Sequence, residues 1–129
     1  MNQRKSNPIV WFEIYVDNMN RARKFYEEVL QTELTQLSDP TDNQMQILSF
    51  PGEMSVYGAP GTLVKMEGAK PGGSNVIIYF GSDDCAEEES RVEAAGGKVC
   101  QKKMSLGEFG FCTIATDTEG NTIGFHSMK

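Results

Sequence analysis

A glutamate set between two aromatic residues at alternate positions, Trp11, Glu13 and Tyr15, is the segment of this sequence best suited to chemistry. In an extended strand these three side chains share one face, because the side-chain period is two. A carboxylate flanked by tryptophan and tyrosine on a concave face loses water, and lost hydration favours its neutral form. Such a group suits proton transfer; the same glutamate also reads as a strand carboxylate bonded to a neighbouring hydroxyl. His126 is the only histidine and offers an imidazole as a second general base, catalytic alongside Glu13 in such a scheme. Tyr79 supplies another ring and phenol, and Phe109 and Phe111 could form a further wall. Trp11, Glu13, Tyr15, Tyr79 and Phe111 are therefore the candidate ligand-binding residues. Cys112 sits mid-strand and reads as a small buried hydrophobe, with no histidine close to it in sequence.

These residues need strands to hold them. Ile9–Val16 is rich in branched and aromatic side chains and reads as a strand. Its alternate residues Val10, Phe12, Ile14 and Val16 are all apolar and are expected to pack under a helix. Asn18 is placed to cap that helix, and Met19, Ala22, Phe25, Tyr26, Val29 and Leu30 recur at helical spacing along it. The second half repeats the pattern. Asn75–Phe80 reads as a strand, and Asp84 with Glu87 three residues later forms a capping-box pattern. Gly96-Gly97 stops that helix. The two caps lie 66 residues apart, and at that offset Val10, Phe12 and Ile14 meet Val76, Ile78 and Phe80. In the second copy Val76, Ile78 and Phe80 would face the helix, and Asn75, Ile77 and Tyr79 the other way. The chain ends in a hairpin turning at Asp117–Asn121, which falls opposite Pro51–Ser55 in the first copy. Each copy reads strand, helix, strand, strand, strand, with module one at about 8–66, a Gly- and Pro-rich linker at 67–73, and module two at 74–129.

Composition narrows the functional classes. The chain has 129 residues, 39% hydrophobic and 23% charged, which suits one globular domain with a core. Its net charge of −6 disfavours nucleic acid, which requires a basic footprint, and is compatible with a cationic ligand. No apolar run approaches the roughly 20 residues that span a bilayer, and the polar start lacks a signal-peptide core. A cytoplasmic location with no membrane partner is the expectation. The three cysteines, Cys85, Cys100 and Cys112, form no Cys-x-x-Cys pair and read as reduced thiols.

Three segments carry a family resemblance: Asn18–Tyr26, Ala94–Lys98 and the closing hairpin Gly107–His126. In order, around an internal repeat, they resemble the vicinal oxygen chelate superfamily of glyoxalase I, bleomycin-binding proteins and extradiol dioxygenases. The resemblance implies an α+β fold of two tandem βαβββ modules forming an open cupped barrel with helices outside, and a ligand site in the cup. It also implies homodimers in many members, and in metal-dependent members a divalent ion held by His, Gln or Glu. The corresponding positions here are Trp11, Ile77, Gly124, and either Gly58 by the repeat offset or Gly61 by local match. None has a metal-binding side chain, so no metal or other cofactor is expected. The reading is a metal-independent protein binding a small cationic or aromatic ligand in an aromatic cup. The alternatives are a glyoxalase-type lyase or isomerase using Glu13 or His126, and a non-catalytic interaction module.

Overall fold

Alternating branched and aromatic side chains draw Ile9–Tyr15 into the first strand, β1, and Asn18 ends it by starting helix α1 (Met19–Leu30). The Asn18 side chain accepts a hydrogen bond from the Arg21 amide at 3.0 Å, satisfying one of the amides that a helix start leaves without a partner. Three short strands follow: β2 (Thr35–Leu37), β3 (Gln46–Ser49) and β4 (Gly61–Lys65). The second round comprises β5 (Val76–Gly81), α2 (Cys85–Val92), β6 (Lys98–Ser105), β7 (Phe111–Thr116) and β8 (Thr122–Ser127). The computed structural model describes residues 7–41, 43–69, 76–118 and 120–129. The expected linker at 67–73 therefore falls partly outside the described residues, as do Asn75 and Glu119.

The chain divides into two compact units, one of residues 12–77 and one joining residues 78–129 to the chain up to Trp11. In the first, the strands run in the order β2–β3–β4–β1, with β1 parallel to β4 and the other neighbours antiparallel. In the second, the order is β5–β8–β7–β6, with β5 parallel to β8 and the rest antiparallel. The same βαβββ topology is thus present twice, the α+β arrangement that the resemblance implied.

In the first unit the core lies between α1 and one sheet face. Val16, Met19, Leu34, Leu48 and Leu63 are buried there, with Ile14, Ala22, Tyr26 and Phe50 packed against them. Phe12 stands 5.5 Å from the Phe50 ring, and Tyr26 meets Phe50 edge-on at 5.6 Å. Phe12, Ile14 and Val16 thus share the α1 side, and Glu13 and Tyr15 point the other way. Not all of α1's apolar side chains are covered. Phe25, Val29 and Leu30 remain more than half exposed, because the six apolar positions span an arc of about 140° and the sheet covers only part of it. Beyond α1, Glu27 accepts the Leu34 amide at 2.9 Å while Arg23 donates to the Leu34 carbonyl at 3.1 Å.

The second unit holds its helix differently. The Cys85 amide donates to the buried Ser127 hydroxyl at 3.0 Å, and the Thr113 hydroxyl donates to Glu89 at 3.0 Å. Lys103 bridges to Asp84 at 2.8 Å. Phe80 stacks on Phe125 with centroids 5.9 Å apart, but Val76 and Ile78, expected under the helix, are 55% and 37% exposed. Helix α2 has eight residues against the twelve of α1. The capping box also differs from expectation. Asp84 caps the Ala86 amide at 3.0 Å, but its own amide bonds to the Ser82 hydroxyl at 3.0 Å, the role the pattern gave to Glu87.

Candidate functional site

On β1 the side chains turned away from α1 include the carboxylate and phenol picked out from the sequence. The Tyr15 hydroxyl donates to Glu13 Oε1 at 2.9 Å, so one carboxylate oxygen is fixed by its neighbour two residues on. β4 backs this pair: Glu13 lies opposite Thr62 and Tyr15 opposite Val64, each of which is 1% exposed. Trp11 has the same strand parity and is half-buried. This is the bonded glutamate of the plainer sequence reading, and the bond also holds the carboxylate in one orientation.

In the second unit Tyr79, Gly124 and His126 share the sheet face opposite Ser127, whose hydroxyl meets α2. Tyr79 lies opposite Gly124 in the parallel pair and is buried, and a Cβ on Gly124 would stand 2.3 Å from its ring. His126 Nε2 lies 2.6 Å from the Phe109 carbonyl. A carbonyl only accepts, so Nε2 carries the hydrogen in this contact, and Nδ1 is the ring nitrogen it leaves uncommitted. Directly across the antiparallel pair from His126 is Cys112, 5% exposed. The thiol and imidazole that looked remote in sequence are cross-strand neighbours.

Phe111 is on the other face. It pairs with Ser127, and Lys103 Nζ stands 4.8 Å from its ring centroid while bonded to Asp84 at the start of α2. Phe111 therefore belongs to the helix side and does not join Tyr79 and His126. The short 3-10 turn Gly107–Phe109 enters β7 and fixes this phase, which alternation alone did not show.

The family resemblance carries with it a divalent metal held by the first and last strand of each module. Val16 N donates to the Val64 carbonyl and Ser82 N to the His126 carbonyl, so the two parallel pairs are matched in register. The first strands keep the 66-residue spacing, but Val64 and His126 lie only 62 apart. The counterpart of Gly124 is therefore Thr62, not Gly58 or Gly61. Gly58 lies outside the strands with φ 95°, and Gly61 faces the α1 side, where a Cβ would meet the Phe12 ring at 2.4 Å. The slip arises because the β3–β4 connection is longer than the five-residue turn between β7 and β8. The four positions are then Trp11, Ile77, Thr62 and Gly124, with one weakly basic hydroxyl among them. They do not fit a divalent ion. Among the described residues no group of three or more His, Cys, Asp and Glu side chains could hold one.

The charged groups with displaced titration lie off these faces. The Lys103 ammonium, followed by the Ala86 amide, holds the Asp84 carboxyl below its ordinary value. The Leu34 amide and then Arg23 do the same for Glu27. A surface depression of about 370 Å³ lined by Arg23, Glu27 and Gln31 runs along α1 and includes none of the candidate residues.

The comparisons with known proteins agree with this geometry. A model described as the Glyoxalase/Bleomycin resistance protein/Dioxygenase superfamily matches residues 8–125. A hypothetical protein from Bacillus halodurans C-125 superposes with a TM-score of 0.73 at 15% identity, over 97% of this chain and 96% of that one. A Streptomyces coelicolor methylmalonyl-CoA epimerase variant in complex with 2-nitronate-propionyl-CoA gives 0.62 at 15% identity, over 93% and 96%. A Methanosarcina mazei protein gives 0.61 at 15% identity, over 94% of each chain. At these identities the likeness is one of fold. No curated protein matches the chain significantly. Among the described residues no helix is long and apolar enough to cross a membrane.

Proposed function

Because this chain belongs to the glyoxalase/bleomycin resistance protein/dioxygenase superfamily, we propose that it binds a small molecule without the divalent metal found in other members. The Glu13–Tyr15 pair orients the ligand, and the Tyr15 ring beside the carboxylate offers aromatic surface for stacking. The observation that carries this reading is the 2.9 Å bond from the Tyr15 hydroxyl to Glu13 on the β1 face away from α1. A carboxylate fixed in orientation among rings suits a cationic or aromatic ligand: the charge selects an amine, and the rings add cation–π or stacking contact. The net charge of −6 attracts the same class of ligand. The metal positions support the reading too, since Tyr79 fills the space over Gly124 that a metal-binding side chain would need. The protein is proposed to act as a cytoplasmic homodimer, the assembly common among relatives.

The test is a thermal-shift screen of amines, aromatic metabolites and divalent metals on the wild type, repeated with Glu13→Gln. A ligand at 100 times its Kd adds about 2.7 kcal/mol to stability, which raises the melting temperature by about 10 °C. Hits are expected among organic cations, and Glu13→Gln should abolish their shift while leaving the unliganded melting temperature nearly unchanged. Shifts that survive Glu13→Gln, or that require a divalent metal, overturn the reading. Each hit is then incubated with the protein; a compound that returns altered moves the assignment from binder to enzyme.

A further inference from the structure

The register of the second unit sets three soft donors side by side on one sheet face. Met104 pairs with Cys112 across β6 and β7, and Cys112 pairs with His126 across β7 and β8. Directly opposed residues in antiparallel strands point to the same side with Cβ atoms about 5 Å apart. A β-bulge sets this row. Gln101 and Met104 are three residues apart, yet they pair with Ile114 and Cys112, which are two apart. The extra residue turns Met104 onto the thiol's face, while Lys103 reaches Asp84 and Phe111 on the α2 side.

We propose that Met104, Cys112 and His126 form a low-coordinate site for a thiophilic monovalent metal ion, Cu(I). The row lies outside the four family metal positions, because it uses β6 and β7 and the His126 position, two residues beyond Gly124. It stands independently of the ligand proposed for Glu13 and Tyr15.

The chemistry follows from the donor set. Thiolate and thioether are soft ligands that select Cu(I), and imidazole suits it as well. Hard divalent ions take oxygen donors, of which the row has none, and a thioether serves borderline ones poorly; among the described residues no group of three or more His, Cys, Asp and Glu side chains offers them a richer set. The ring of His126 is already oriented, since its Nε2 is committed to the Phe109 carbonyl at 2.6 Å and Nδ1 is the nitrogen left to coordinate. Cys112 is not in a disulfide and is 5% exposed, whereas Met104 and His126 are half-buried. Binding converts Cys112–SH and Cu(I) into a Cys112 thiolate–Cu(I) bond and one released proton.

The test titrates the whole chain anaerobically with tetrakis(acetonitrile)copper(I) against bicinchoninate, a chromophoric competitor. One Cu(I) per chain should be withheld from the chelator, with one proton released. Cys112→Ser should abolish retention, and His126→Gln and Met104→Leu should each weaken it by at least the roughly 10- to 100-fold that loss of an outer-shell partner costs a metal site. Cys100→Ser, which removes the exposed thiol, should leave retention unchanged. Loss of all copper to the chelator, or equal retention by Cys112→Ser, overturns the proposal. X-ray absorption on the wild type decides the matter even if Cys112→Ser fails to fold. Sulfur and imidazole scatterers together are required, and a sulfur-only shell sinks the site.

Discussion

The two units share a topology and differ in what holds the helix to the sheet. Helix α1 packs through carbon: Met19, Ala22 and Tyr26 against Ile14, Val16, Leu48, Phe50 and Leu63. Helix α2 is anchored through polar atoms. Its first amide meets Ser127, Asp84 at its cap meets Lys103, and Glu89 accepts from Thr113. Apolar burial contributes about 25 cal/mol per Å² and is indifferent to direction. Polar anchors contribute less each, but they fix orientation and are costly to leave half-made. The unit with the short helix therefore relies on geometry, and the unit with the longer helix on area. On the opposite faces the division is reversed, with a carboxylate–phenol pair over Thr62 in the α1 unit and a ring over Gly124, beside His126 and Cys112, in the α2 unit.

The largest effect is expected where area does the holding. Leu63 is fully buried beneath α1, and Leu63→Ala removes its contacts and leaves a cavity. The expected loss is about 2–5 kcal/mol, read from urea unfolding. A loss under about 0.5 kcal/mol, within the usual scatter for surface sites, would break the contrast by showing that α1 does not depend on its apolar seat.

Some of this was legible in the sequence. Asn18 and Asp84 mark both helix starts, and the parity of β1 separates Phe12 and Ile14 from Glu13 and Tyr15. The repeat offset failed at the last strand of each unit because connections of unequal length intervene, and no local signal counts them. Phe111 lies off the wall that its aromatic ring suggested, and the hairpin register shows it: equal counting from the Asp117–Asn121 turn pairs Phe111 with Ser127, on the α2 side. The Cys112–His126 pairing could have been read. Counting outward equally from the Asp117–Asn121 turn brings those two residues opposite each other.

The next effect sharpens the contrast between the outer faces. In the first unit Thr62 carries a Cβ opposite Glu13 without conflict, whereas a Cβ on Gly124 would stand 2.3 Å from Tyr79. Gly124→Ala is expected to cost about 1–3 kcal/mol by displacing that ring. Tyr79→Ala in the same chain should relieve the clash, so the double variant falls short of additivity by about 0.5–3 kcal/mol. Strict additivity in a double-mutant cycle would mean that ring and glycine are not coupled.

The smallest effect concerns the Asp84–Lys103 bridge, with side chains about a third exposed, and its value lies in its pH dependence. The hydrogen bond to Asp84 raises Lys103 above its ordinary value, and the same bond lowers Asp84 below its own. A depressed carboxyl contributes stability above its unfolded value, near 4, and loses it as pH falls through the lower folded value. A raised lysine contributes below its unfolded value, near 10, and loses that as pH rises through the folded one. Lys103→Gln should therefore be less stable than wild type by a constant margin between about pH 5 and 9, and the margin should shrink on both sides of that window. The Leu63→Ala deficit should stay level over the same range, because the buried members of that cluster, Val16, Met19, Leu34, Leu48 and Leu63, carry no titrating group. Two flat profiles would mean that the bridge is incidental and that α2, like α1, is held by area; one flat and one bell-shaped profile assigns each helix its own means of attachment.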